Sequence, residues 1–189
     1  MKSESFPPIL PRRRPFWLLV LVLMLVFGFY QEKAKIQLNH YIEVMKENPE
    51  MSAMSDEARA KWWESNPQPK RIHYYIMTST WSGFHSFDLD ELIWMKWMLS
   101  AGIVLIFFLL DGLFLKTTGH FHRWPWLLVI YFLAGAIMGA FMVLVPGRSG
   151  YGVAHEFLAF LQSPLPSLLI VLVPSLIERA KQEGGPRRS

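Results

Sequence analysis

Cysteine is absent from all 189 residues of this chain, and the familiar catalytic signatures are missing too. Without cysteine there are no disulfides, thiolate metal sites, cysteine nucleophiles or lipid anchors on thiols. The sequence also lacks a nucleophile elbow, a glycine-rich phosphate loop and the HExxH pattern of zinc proteases. We therefore expect a chain that is not an enzyme and that holds no cofactor or metal ion.

Charged residues are scarce as well, at 18% of the chain against 52% hydrophobic residues. The apolar residues concentrate in four runs that are nearly free of charge, at 16–30, 97–115, 126–145 and 165–177. Such runs are typical of helices that cross the bilayer, although the first and the last are shorter than the roughly 20 residues that span it. The sequence predicts an all-α membrane protein with about four transmembrane helices.

The basic residues lie beside these runs, which favours a membrane over nucleic acid as the reason for the net charge of +4. Three consecutive arginines at 12–14 precede the first run, and Lys116 and Arg123 lie between the second and the third. By the positive-inside rule, both termini are predicted to be cytoplasmic. A cleavable signal peptide is the alternative for the first run. No pair of small residues follows Gly28, which favours an uncleaved anchor.

This topology assigns a segment to every part of the chain. The predicted segments are a basic cytoplasmic tail at 1–15, a first span at 16–30, an extracytoplasmic segment at 31–96, a second span at 97–115, a cytoplasmic loop at 116–125, a third span at 126–145, an outer loop with a short helix at 146–163, a fourth span at 164–178 and a cytoplasmic tail at 179–189.

The extracytoplasmic segment is predicted to contain mixed short helices. The anchor helix is expected to continue into it until Pro49 ends the helix. A second helix is expected to begin after Ser55, whose side chain can accept a hydrogen bond from a free amide of the first turn. Residues 71–81 are rich in β-branched and aromatic residues, which predicts an extended stretch.

Gly135 and Gly139 stand four residues apart in the third predicted span. Small residues at this spacing let two helix backbones approach closely, either within one bundle or between two proteins. The ordinary glycine content of membrane helices is the alternative explanation. The pair is a candidate site of helix packing.

The sequence around Ser163, Pro164 and Pro166 predicts a helix break just before the fourth span. Residues 153–162 have the spacing of a short amphipathic helix, and proline is favoured in the first turn of a helix. Ser163 is therefore expected to cap a new helix that begins at Pro164. Pro174 is expected to kink that helix.

Few polar side chains in or near the spans suggest chemistry. Asp111 is predicted to pair with Lys116 or Arg123 at the depth of the inner headgroups, although a carboxylate inside a span is also a functional hypothesis. His155 and Glu156 are predicted to form a polar edge or a contact with another protein. A proton-handling role is the alternative for His155.

The order of these segments resembles a known family. It consists of an anchor, a long outer segment and three further spans, the last introduced by Phe-Leu-Gln-Ser-Pro-Leu-Pro at 160–166. This is similar to the small membrane proteins associated with exosortases in Bacteroidetes, most nearly those associated with exosortase X. The likeness is clearest in that stretch and in the architecture, and it is weak across 31–96.

The resemblance implies a non-catalytic accessory protein of an exosortase, a polytopic transpeptidase that processes the C-terminal sorting signals of exported proteins. Exosortases use a cysteine nucleophile, which this chain lacks. The expected partners are an exosortase or another polytopic membrane protein, together with membrane lipids. The expected docking surface consists of His155, Glu156, Gln162, Ser163, Pro164 and Pro166. The alternative is a small polytopic subunit of an envelope transporter or of an enzyme that modifies lipids or glycans.

Overall fold

The computed structural model describes residues 16–66, 85–145 and 148–183, and every regular element among them is helical. Their six α-helices are α1 (Phe16–Glu47), α2 (Asp56–Ser65), α3 (Leu89–Thr117), α4 (Trp124–Leu144), α5 (Arg148–Leu161) and α6 (Leu165–Glu183). Short 3-10 turns at Pro49–Ala53 and Phe121–Arg123 precede α2 and α4. The predicted all-α class is confirmed, and the extended stretch predicted at 71–81 lies outside the described residues.

Three stretches of helix are long and apolar enough to cross a membrane. They are α1, α3 and Phe121–Leu144, which includes α4. α5 and α6 meet the same condition only as a pair, Ser149–Leu161 with Leu165–Ile177, which is bent by 72° at the break between them. The described helices are therefore compatible with a multi-pass membrane protein of three spans, or of four if the bent pair forms one span.

The chain divides into two compact units, which we call the bundle unit and the middle unit. The bundle unit consists of Met1–Val26 and Val104–Ser189, and the middle unit consists of Phe27–Ile103. α1 and α3 each contribute to both units, because each crosses a boundary between them. All of α4, α5 and α6 belongs to the bundle unit, and all of α2 belongs to the middle unit.

The middle unit has an apolar core like that of a water-soluble domain. From α1 it receives Leu38, Tyr41, Ile42 and Met45, none of which is more than 6% exposed. Trp63 of α2 packs edge-on against Tyr41, with ring centroids 4.9 Å apart. The four α1 positions follow the helical i, i+3, i+4, i+7 pattern. Their burial explains why α1 remains helical beyond the first apolar run.

Side-chain caps fix where α2 and α3 begin. Ser55 Oγ accepts the amide of Ala58 at 3.3 Å, which confirms the predicted start of α2. At the start of α3, the Glu91 amide donates to Asp88 Oδ1 at 2.8 Å, and the Asp88 amide donates to Glu91 Oε2 at 2.9 Å. This reciprocal capping box satisfies two amides that the helix itself leaves without partners.

Arg59 of α2 binds three carbonyls, although the residue is only 3% exposed. Its Nε donates to Met51 O at 3.0 Å, Nη2 donates to Met54 O at 2.9 Å, and Nη1 donates to Ser86 O. Met51 and Met54 lie between α1 and α2, and Ser86 lies just before α3. The rigid fork of the guanidinium therefore ties three parts of the middle unit together.

The turn between α3 and α4 is closed by a glycine in the left-handed conformation. Gly119 has φ of 81°, which a residue with a Cβ adopts only with strain. Its amide donates to Lys116 O at 3.3 Å, and the His120 amide donates to Leu115 O at 2.8 Å. This Schellman arrangement ends α3 and satisfies two of its last carbonyls.

α5 runs back along α4 in the antiparallel direction. Near the start of α5, Gly150 lies so close to the carbonyl oxygens of Phe141 and Val145 that a Cβ there would overlap both. At the other end, Leu161 O accepts the hydroxyl of Tyr131 at 3.0 Å. The separation of Gly150 and Leu161 along α5 is similar to that of Phe141 and Tyr131 along α4. α5 therefore runs beside α4 between these two contacts.

α5 begins at Arg148, earlier than the start predicted at residue 153. The amphipathic pattern extends only over the later residues, so no local pattern predicted that Gly150 lies in a helix. Its close contact with the end of α4 supplies the reason. The segment predicted as an outer loop with a short helix is thus mostly helix, and this helix packs against the third apolar stretch.

Candidate functional site at the helix break

The break between α5 and α6 lies at Ser163 and Pro164, as predicted. Pro164 has no amide hydrogen, so Phe160 O, four residues earlier, lacks its usual helical donor. Ser163 Oγ donates to that carbonyl at 2.7 Å and accepts the amide of Leu165 at 3.3 Å. One hydroxyl therefore completes the end of α5 and caps α6, which begins one residue after the predicted position.

Tyr131 of α4 supplies the next missing donor at the break. Leu161 is the last residue of α5, and its carbonyl oxygen lies 3.0 Å from the Tyr131 hydroxyl. The same hydroxyl lies 2.8 Å from Oδ2 of Asp111 on α3. Three helices of the bundle unit therefore meet at one phenol oxygen.

Asp111 is fully buried, with 0% of its surface exposed. Besides Tyr131, it faces Ser167 in the first turn of α6. The hydroxyl and the amide of Ser167 both lie near the carboxyl group. Lys116 is exposed, and Arg123 donates to a carbonyl of α6. The predicted pairing of Asp111 with Lys116 or Arg123 is therefore wrong, because the carboxyl group is directed into the bundle toward α4 and α6.

Arg123 binds a second carbonyl that lacks its helical donor because of a proline. Pro174 lies inside α6 and has no amide hydrogen, so Ile170 O, four residues earlier, has no helical donor. An Nη of Arg123 donates to Ile170 O at 3.0 Å. α6 continues through Pro174 to Glu183, and the predicted kink there stays a prediction.

His155 and Glu156 are exposed on α5. They lie between the two points at which α5 contacts α4, and Glu156 stands about 9 Å along the helix from Gly150. The ring of Tyr151, one turn before His155, lies 6.3 Å from the imidazole and is 51% exposed. The outward face of α5 therefore carries ionisable and aromatic groups alongside a helix that is apolar enough to span a membrane.

The other residues of the predicted docking surface are less accessible. Gln162 is 3% exposed, and Pro166 is also buried. Ser163 and Pro164 are half-buried. These positions form the break itself, and among the six only His155 and Glu156 are exposed.

Gly135 and Gly139 make no close contact with any described helix. A Cβ added at either position would meet no atom within 4 Å among the described residues. The close backbone approach in this unit involves Gly150. A packing site at Gly135 and Gly139 is therefore not formed within the described bundle, and contact with a separate protein stays a prediction.

The sequence reasoning missed the side chains that complete the break. Tyr131 is 30 residues from Leu161, and Arg123 is 47 residues from Ile170, so no local pattern joins them. Pro174 did indicate part of this arrangement, because a proline inside a helix leaves the carbonyl four residues earlier without its amide donor. The identity of that donor depends on how the helices pack.

Comparison with models of protein families, with curated proteins and with solved structures found no match for this chain.

Proposed function

We infer that this chain is a non-catalytic accessory membrane protein of an exosortase-type sorting system, and that it docks its polytopic partner through α5. In this proposal it lies in a bacterial inner membrane with both termini in the cytoplasm. It supports the processing of exported proteins that carry C-terminal sorting signals. The exposure of His155 and Glu156 on α5 carries the proposal.

Solvation is the reason why this exposure points to a partner. α5 lies alongside α4, whose 21 residues give a helix about 30 Å long, the thickness of the hydrocarbon core. An ionisable side chain at such a depth is costly in lipid, and it normally faces protein or a water-filled cavity. Glu156 and His155 face away from the bundle unit, so a neighbouring protein would supply the polar environment that lipid lacks.

The chemistry of this face limits what the partner can be. A carboxylate and an imidazole in a low-dielectric environment favour a basic or hydrogen-bonding side chain on a spanning helix of the partner. Ser149, Gly152 and Ala159 are exposed on the same helix, and their small side chains leave room for another helix to approach. A polytopic membrane protein can provide both features.

The stretch that resembles exosortase-associated proteins lies next to this face. Residues 160–166 form the end of α5, the break and the start of α6. An exosortase is itself polytopic, so it presents spanning helices that could cover His155 and Glu156. The resemblance and the solvation argument therefore support the same partner.

The test is the recovery of the exosortase with a tagged chain from solubilised membranes. The double change Glu156→Lys and His155→Leu should reduce recovery by more than tenfold, because breaking a buried charge pair at an interface costs about 2–5 kcal/mol. Glu57→Lys, at an exposed position of α2, is the control and should leave recovery unchanged. Deletion of the gene should leave C-terminal sorting signals unprocessed.

Two results would contradict the proposal. Full recovery of the exosortase by the double variant, at normal abundance, would remove α5 as the docking face. Normal processing of sorting signals in the deletion strain would remove the accessory function. Recovery of a transport complex or of a lipid- or glycan-modifying enzyme in place of an exosortase would support the alternative function.

A further inference from the structure

If Asp111 is ionised, the junction of α3, α4 and α5 contains two hydrogen-bond acceptors but only one hydrogen that can be donated to them. The Tyr131 hydroxyl lies within bonding distance of two acceptors, Asp111 Oδ2 at 2.8 Å and Leu161 O at 3.0 Å. A tyrosine hydroxyl has one hydrogen, which it can donate fully to only one acceptor. A second hydrogen at this junction would satisfy both contacts.

Leu161 O depends on the hydrogen of Tyr131. In a continuous helix this carbonyl would accept the amide of Leu165, but that amide donates to Ser163 Oγ. Leu161 is 3% exposed, so water does not readily replace the missing donor. A buried carbonyl without a donor is costly, which assigns the Tyr131 hydrogen to Leu161 O.

The surroundings of Asp111 suit a neutral carboxyl group better than an anion. Its Oδ1 is buried and has no partner at hydrogen-bonding geometry. The hydroxyl and the amide of Ser167 both lie near the carboxyl group, and the hydroxyl has a second acceptor in Pro164 O at 3.2 Å. An ionised carboxylate can accept about four hydrogen bonds, whereas a protonated one can donate one bond to the Tyr131 oxygen.

No cation among the described residues of the bundle unit pairs with Asp111. Tyr131 from α4 and Ser167 from α6 face it, and the Leu161 carbonyl from α5 faces the Tyr131 hydroxyl. From α1, Phe16–Val26 belongs to this unit and contains no titratable residue. Arg123, in the turn before α4, donates to Ile170 O.

We propose that Asp111 is a proton-binding site and that its bound proton holds the break between α5 and α6 in place. The proton on Oδ2 is donated to the Tyr131 oxygen, and the Tyr131 hydrogen is donated to Leu161 O. When the proton leaves to water, the Tyr131 hydrogen turns to the carboxylate and Leu161 O loses its donor. The new anion also attracts the positive N-terminus of α6 through the Ser167 amide. Proton release therefore removes a hydrogen bond at the end of α5 and attracts the start of α6 toward Asp111.

The bound proton can be observed in the purified full-length chain in lipid nanodiscs. The sequence has four aspartates, Asp56, Asp88, Asp90 and Asp111, and Asp111 is the fully buried one. Aspartate carboxyl groups labelled with ¹³C should show an infrared band of a protonated carboxyl at neutral pH. The band should disappear in Asp111→Asn and remain in Asp90→Asn, which changes an exposed carboxylate of the same helix. Absence of the band in the natural sequence at neutral pH would overturn the proposal.

The bend can be followed by the distance between spin labels on cysteines that replace Ser149 and Leu176, which are both exposed. The distance distribution should broaden as alkaline pH removes the infrared band. In Asp111→Asn it should stay narrow, because the neutral amide keeps a donor for the Tyr131 oxygen and does not ionise.

An identical pH response in Asp111→Asn, or an unchanged bend after the band is lost, would contradict the coupling between proton and break. If Asp111→Asn fails to accumulate, the natural sequence still decides the question, because the band and the distance must change over the same pH range. No partner is present in either measurement, so the result is independent of exosortase docking.

Discussion

The two units of this chain differ in some of the side chains that they bury and expose. The middle unit encloses apolar residues around Tyr41 and Trp63, which are 1% and 5% exposed. The bundle unit leaves large apolar side chains such as Phe132 outside, at 77% exposure, and buries Asp111 and Ser167 completely. Both units bury apolar side chains, since Phe114 and Leu115 of the bundle unit are 1% and 0% exposed, but among the described residues only the bundle unit also buries a carboxyl group.

We attribute the difference to the solvent that suits each unit, water for the middle unit and lipid for the bundle unit. In water, burial of apolar surface is the main force that drives folding. Lipid chains are as apolar as leucine, so helices in a membrane associate through close packing and hydrogen bonds. The two units nevertheless share one feature. In each, a side chain from another part of the fold donates to backbone carbonyls, Arg59 in the middle unit and Tyr131 and Arg123 in the bundle unit.

The largest effect is expected at Arg59 in the middle unit. Arg59→Ala removes a side-chain donor from three carbonyls, of which Met51 O keeps the amide of Met54 at 3.2 Å. The free energy of unfolding should fall by at least about 2 kcal/mol, since each buried unsatisfied group costs about 1–3 kcal/mol. Denaturant unfolding, followed by the fluorescence of Trp63 and its neighbours, measures the loss. Lys61→Ala, at an exposed position of the same helix, should cost little. Similar losses in the two variants would show that the Arg59 contacts do not hold the middle unit together.

The next largest effect is expected at Gly150 in the bundle unit. Gly150→Ala places a methyl group onto the carbonyls at the end of α4, so we expect a loss of about 1–3 kcal/mol from overpacking. Gly152→Ala is the matched control, because a Cβ there meets nothing within 4 Å. Thermal unfolding in nanodiscs compares the two. Greater damage from Gly152→Ala would contradict the antiparallel packing of α5 on α4.

A smaller and conditional effect is expected for Arg123. Arg123→Met leaves Ile170 O without a donor and should cost about 1–2 kcal/mol. In a Pro174→Ala background, the new amide at position 174 can donate to Ile170 O, so the same arginine substitution should cost almost nothing. Thermal unfolding of the four chains in nanodiscs forms a double-mutant cycle. Simple additivity of the two substitutions would show that Arg123 does not act through this carbonyl.

The smallest effect is expected from pH on the middle unit. Burial lowers the pKa of His85 below its ordinary value of 6.5, and the nearby Glu64 carboxylate partly opposes the shift. His85 also contacts the Tyr41 hydroxyl, at 3.1 Å, and stacks on Trp63. As pH falls below about 6.5, the unfolded chain binds a proton that folded His85 resists, so stability decreases.

Unfolding of the middle unit at about pH 7.5 and about pH 5.5 checks this prediction, because the two values bracket the ordinary histidine pKa. His85→Gln should reduce the difference between the two conditions. An equal difference in the natural sequence and the variant would contradict the role assigned to His85.

Features with local causes were predictable from the sequence. The apolar runs predicted α1, α3 and α4, and Ser55 predicted the start of α2. Ser163 and Pro164 predicted the break, because a proline removes a donor and a serine can replace it. The capping box of Asp88 and Glu91 has the same local character and follows the known spacing of such caps.

Features that depend on packing were not predictable. Arg59 binds Ser86 across 27 positions, and Arg123 binds Ile170 across 47. On its own helix, Arg59 stands four residues before the buried Trp63, but this spacing does not identify the carbonyls that the arginine binds. Asp111 was placed beside basic residues because they are close in sequence, whereas its partner Tyr131 is 20 residues away on the next helix. The direction in which a buried polar side chain points is set by the assembled helices.

The comparison of the two units is tested most directly by chemical access to single cysteines, since the chain contains none of its own. Cysteines would replace exposed Ser65 in the middle unit and exposed Phe132 and Lys116 in the bundle unit. An impermeant thiol reagent applied to spheroplasts should label position 65. It should label position 116 only after the membrane is opened, and it should fail to label position 132 in either condition. Labelling of position 116 in closed spheroplasts, or protection of position 65, would contradict the account.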